Sequence, residues 1–89
     1  MIQQVRVHSS ILTVGARHYV ACAYADRMPQ GAWEAWLVFF PIQAGPPVMG
    51  DRETTQHTSA DTSRWAAGVS SVYLQGALTR ALRRGDAPL

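Results

Sequence analysis

The sequence predicts an α+β fold: a four-stranded antiparallel meander followed by a C-terminal helical region, β-β-β-β-α, with the helix either continuous or broken near Gly68–Ser71. Three observations carry this. The run GAWEAWLVFFP at 31–41 is apolar throughout, bounded by a glycine and a proline, and reads as a strand buried on both faces. Segments ahead of it alternate β-formers with polar or small residues. From Thr58 to Arg84 the apolar spacing changes to a helical period.

The first strand is expected from Ile2 to His8, where Val5 and Val7 alternate with Gln4, Arg6 and His8. Ser9 and Ser10 interrupt it. Residues 11–14, ILTV, either extend this strand past a bulge or begin the next one before Gly15. Residues 17–25 form the second strand. One of its faces carries His18, Val20, Cys22 and Tyr24, and the other Arg17, Tyr19, Ala21, Ala23 and Ala25. The alanine face leaves room for something large, either Trp33 or the helix. Asp26–Gly31 is rich in turn formers and leads by a hairpin into the organising strand. There Trp33, Ala35, Leu37 and Phe39 share one face, and Glu34, Trp36, Val38 and Phe40 the other. Residues 41–47, PIQAGPP, are a loop, and 48–58 a polar fourth strand suited to a sheet edge.

Thr58 and Asp61 have the spacing of a capping box at the helix start, and Gly85 is placed as the C-cap after Arg80, Arg83 and Arg84. The apolar stripe slips phase. Trp65, Val69 and Val72 fall in one sector, whereas at about 100° per residue Leu74, Leu78 and Leu82 lie nearly opposite. Either the helix breaks at residues 68–71 with Ser70 or Ser71 capping a second helix, or it runs straight and turns its leucines away from its own sheet. In both versions the leucines need a cover.

With 89 residues the chain is expected to form a single α+β domain, 1–89. Its hydrophobic fraction of 47% against 16% charged residues excludes a disordered chain and raises the demand for apolar cover. The net charge of +2 is too small to advertise a nucleic-acid partner. A single cysteine, polar residues where a leader would be apolar, and no membrane-length apolar run point to a cytoplasmic protein.

The chemistry-bearing residues do not converge. His18 and Cys22 share a strand face, but four residues of rise separate them by roughly 13 Å, too far for one ion. No metal ligands, cofactor site or catalytic set are assigned, and Cys22 among Val20, Ala21 and Ala23 reads as a small buried hydrophobe with a raised pKa. Glu34, flanked by tryptophans, is expected to pair with an arginine such as Arg6 or Arg17, or to lie at an exposed strand start. Arg52–Thr55 reads as a solvated edge.

The expectation that follows is a small non-enzymatic bacterial protein acting as an oligomeric module, most simply a homodimer. Its candidate interface is Trp36, Val38 and Phe40 with Leu74, Leu78 and Leu82. One buried tryptophan removes about 150–250 Å² from water, worth about 4–6 kcal/mol as an upper estimate, so an uncovered aromatic face is costly. The alternative is a single-stranded RNA or DNA binder using Arg6, Arg17, Tyr24 and Trp36 as a stacking platform. A second alternative is a small-ligand binder or enzyme with its pocket near Trp33 and Glu34. The strand-then-helix order is similar to several small bacterial modules, including antitoxin-like half-ferredoxin folds, with no motif carrying that likeness residue by residue.

Overall fold

In a computed structural model of the chain, residues 1–85 are described. Four antiparallel strands, β1 (Ile2–Val14), β2 (Arg17–Arg27), β3 (Trp33–Pro41) and β4 (Val48–Gln56), form one sheet in the order β1-β2-β3-β4. Two helices follow, α1 (Ser59–Gly68) and α2 (Ser71–Gly85). The meander is the simplest solution for consecutive strands joined by short turns. Gly15 takes a φ of 60° in the two-residue turn between β1 and β2, and Gly31 a φ of 97° in the turn before β3.

The run from Ile2 to Val14 is a single strand. Its serine interruption is an irregularity of register, since Val7 pairs with Cys22 but Ile11 with Val20. The β2–β3 pairing is continuous, from Tyr19 opposite Pro41 to Arg27 opposite Trp33. It places Tyr19, Ala21, Ala23 and Ala25 on the same face as Ala35, Leu37 and Phe39, and all seven are buried. That face carries the helices. The alanines do accommodate something large: their short side chains let Leu74 and Leu78 pack down among them, beside Ala66, Ala77 and Ala81 from the helices.

The helical region is broken. Val69 leaves the helix with extended backbone, and the Ser70 hydroxyl accepts a hydrogen bond from the Tyr73 amide at 3.1 Å, the geometry of an N-cap. At the other start, Thr58 Oγ1 accepts from the Asp61 amide at 3.0 Å. The Asp61 carboxylate pairs forward with Arg64 at 2.9 Å. The break resets the helical phase, which corrects two expectations. Leu74 and Leu78 need no external cover, because α2 turns them onto the chain's own sheet, where both are buried, with Leu82 half-buried beside them. Val72, grouped by spacing with Trp65 and Val69, points to solvent and is 82% exposed. Gly85 is the last described residue, so its expected cap geometry lies outside the described residues. No helix among the described residues is long and apolar enough to cross a membrane.

Candidate interaction face

With both helices on one side of the sheet, the other side has no cover from the described chain. Its central row runs across all four strands, Val7 opposite Cys22, Cys22 opposite Val38, and Val38 opposite Met49. On one side of this row lie Gln4, Tyr24, Trp36 and Arg52, and on the other Ile11, Val20 and Phe40. Trp36, Val38 and Phe40 therefore share this open face, as their alternation along β3 requires. On its outer strands, Val7 and Met49 are 54% and 57% exposed. Between them Cys22 and Val38 are buried, and Val20, Tyr24, Trp36 and Phe40 are half-buried, so the face is apolar across four strands but most exposed at its outer two.

The face has relief. Tyr24, Trp36, Val38, Phe40, Pro47 and Met49, together with Ile2, line a shallow groove of about 290 Å³. That volume is small and open for a drug-sized ligand, whose site encloses most of the molecule. Projecting apolar side chains would fit it.

Charges on this face are neutralised from within. Arg52 on β4 pairs with Glu34 on β3, and the N-terminal amine pairs with Asp26 at 2.9 Å. The Tyr24 hydroxyl donates to Gln4 at 3.3 Å. The sequence offers Glu34 an arginine such as Arg6 or Arg17, or an exposed strand start; its partner is Arg52, because β3 and β4 are adjacent and Trp36 lies opposite Arg52. Cys22 is buried within this face, and burial raises its thiol above the ordinary value of 9.0.

The expected stacking platform is not assembled. Tyr24 and Trp36 are cross-strand neighbours, but Arg17 follows the odd residues of β2 toward the helices. There it stacks at 6.0 Å from the Tyr19 ring and donates to the Ala44 carbonyl at 3.0 Å, holding the loop before β4. Arg6 is shifted by a bulge to a position opposite Ala23, out of step with Gln4 and Tyr24. The pocket expected near Trp33 and Glu34 is not formed by that pair either, because adjacent strand residues point to opposite faces.

Within Arg52–Thr55, which reads from the sequence as a solvated edge, Glu53 instead joins a polar cluster on the helix side. Between Ala35, opposite Thr54, and Trp36, opposite Arg52, β4 carries the extra residue Glu53. Its side chain is only 9% exposed; it accepts a hydrogen bond from the Tyr73 hydroxyl and lies 3.6 Å from Arg80. Arg80 also sits 5.8 Å from the Tyr73 ring centroid. The hydrogen bond to Glu53, with burial adding to it, raises the Tyr73 hydroxyl above 10.0. Arg84 ties the same strand to α2 by pairing with Asp51 and donating to the Met49 carbonyl at 3.0 Å. The cluster locks α2 to β4. Alternation in the sequence carries no mark of it, because the bulge that turns Glu53 inward shows only in the strand pairing.

The histidines stay apart. His8 is buried in β1 with its Nε2 lacking a hydrogen-bond partner, and burial first, then Arg6, holds its pKa below 6.5. His18 hydrogen-bonds Thr13 at 2.9 Å at the exposed end of the β1–β2 hairpin, and His57 is exposed between β4 and α1. Among the described residues no group of three metal-ligating side chains comes together. No protein-family model, characterised protein or solved structure shows a match to this chain.

Proposed function

We propose that this chain is a small non-enzymatic bacterial interaction module, cytoplasmic, that works as a homo-oligomer, most simply a dimer, through the open face of its sheet. The observation that carries the reading is the apolar sheet face that no helix covers, where Val7 and Met49 are exposed at the two ends of the row, Trp36 and Phe40 are half-buried beside it, and Cys22 and Val38 lie buried beneath their neighbours. Leu74, Leu78 and Leu82 drop out of the interface because the chain's own core uses them.

Two physical features favour a second copy over a nucleic acid. A two-fold interface sets a patch against itself, so it must not repel itself; here Asp26 and Glu34 are each matched by a cation from the same chain. A phosphate backbone, by contrast, needs cations free to release counterions, and the arginine on this face is already paired. The size also fits. Four strands about 4.8 Å apart and nine residues long at about 3.3 Å give a footprint of roughly 600 Å² before side-chain relief, near the roughly 800 Å² of accessible surface per partner in a standard interface.

Light scattering on the purified chain tests this reading. A mass of two or more protomers at micromolar concentration supports it, and a monomer overturns it. Salt-sensitive binding of single-stranded RNA, lost on Trp36→Ala, would favour the nucleic-acid alternative.

A further inference from the structure

Resting on the homodimer reading, the geometry points to one mode of association: two sheets packed face to face about a two-fold axis parallel to the strands, with the β1 edge of each copy seated in the β3–β4 groove of the other. Four helices would then lie outside an eight-stranded, two-sheet core.

The other surfaces are blunted. β1 is an edge strand, but its register shifts between Gln4 and Arg6 and again between Val7 and Ile11, which interrupts the regular ladder that edge-to-edge pairing needs. At the opposite edge, β4 also carries register shifts, and its Met49 carbonyl is taken by Arg84. On the helical side, among the described residues, Val72 is 82% and Tyr73 40% exposed, and the cleft that Val72 lines with Ile11 and Leu12 is mixed in character, with Ser71, Gln75 and Thr79 in its wall, whereas the sheet-face groove is apolar. The sheet face remains.

That face is lopsided in a way that fits itself. Its β1 strand exposes Val7 and Ile11, 54% and 64%, while the groove lies between Trp36, Phe40, Pro47 and Met49 on β3 and β4 and runs past Tyr24 to Ile2 at the start of β1. A two-fold axis along the strands lays β1 of one copy over β4 of the other and keeps each row over the same row. Val7 and Met49 belong to one row, so Val7 of each copy meets the partner's Met49, and Ile11 approaches the partner's Phe40 and Pro47. An axis across the strands would instead lay β1 over β1, projection against projection, and groove over groove. Near-parallel strand directions are the aligned class of sheet packing.

Cross-linking reads this directly. In a Cys22→Ala background, the double variant Val7→Cys with Met49→Cys should form covalent dimers with a bismaleimide spanning about 8 Å, suited to sheets packed about 10 Å apart, and each single variant should not. Within one chain the two positions are three strand spacings apart, roughly 14 Å, beyond the reach of that linker. Since a cysteine pair could be held just out of the linker's reach, Val7→Glu and Val72→Glu are compared by light scattering with Cys22 in place. Val7→Glu should be monomeric and Val72→Glu dimeric. If the native chain is a dimer but Val7→Cys alone cross-links, or Val7→Glu stays dimeric, this mode is wrong and the homodimer reading stands. A monomeric native chain overturns both.

Discussion

Shortening Leu78 to alanine tests where the helical break sends the second half of the apolar stripe. Leu78 is fully buried between α2 and the alanine-rich face of β2, with Leu74 beside it. Leu→Ala at such a site loses the transfer free energy of the removed atoms and leaves a cavity, together about 3 kcal/mol. For 89 residues at about 2.1 cal/mol/K each, the unfolding entropy near the midpoint is about 0.19 kcal/mol/K, so the loss lowers Tm by about 16 °C. Val72→Ala is the matched control: Val72 is 82% exposed on the same helix, and its loss should stay within about 0.5 kcal/mol. Thermal unfolding followed by circular dichroism at one fixed protomer concentration measures both, since the midpoint of a dimer depends on concentration. Equal, small shifts for the two variants would mean that α2 does not turn its leucines inward, and the phase reset at Val69–Ser70 would be refuted.

Three further outcomes follow from single contacts. Ser70→Ala removes the hydroxyl that caps α2 and should cost about 1 kcal/mol in urea unfolding, with Ser70→Asp recovering most of it; no loss would show that the cap is idle. His8 is buried neutral with a pKa below 6.5, so the unfolded chain binds the proton more readily. Its contribution is therefore whole above pH 6.5 and is lost as pH falls through the lowered folded value; His8→Leu should flatten that acid slope, and an unchanged slope would remove His8 as its source. Gly50→Ala would set a Cβ 2.9 Å from the Leu37 carbonyl oxygen, so β4 must shift; an overpacking loss of about 1 to 3 kcal/mol in chemical denaturation is expected, and a neutral result would show β4 to be slack there.

How much of this was legible in the sequence depended on whether a single period governed the residues concerned. Along β2 and β3 alternation holds without interruption, so the placement of Ala21, Ala23 and Ala25 on one side and Trp36, Val38 and Phe40 on the other could be read residue by residue. The phase slip was legible too, and Gly68, Ser70 and Ser71 marked its place. What spacing alone left out was its consequence: a straight helix sends Leu74 and Leu78 outward, and a capped break rotates them onto the sheet. β4 was legible as a polar edge but not as an anchor, because alternation gives no sign of the bulge that turns Glu53 toward Tyr73 and Arg80. Arg17 had the right residue type for a stacking platform and the wrong parity, and long-range contacts with the loop before β4 fixed its role. The open face was visible as a surplus of apolar surface. Its shape, with Val7 and Ile11 exposed on β1 and a groove running from Pro47 and Met49 past Trp36 to Ile2, needed the pairing of all four strands.

The most direct measurement of the central claim is light scattering of the native chain beside Val7→Glu over a range of micromolar concentrations. Val7 is 54% exposed in the free chain, and circular dichroism of the variant checks that the protomer stays folded. The account predicts twice the 9.8 kDa protomer mass for the native chain and a single protomer mass for the variant. A native monomer, or a variant that dimerises as the native chain does, would contradict it.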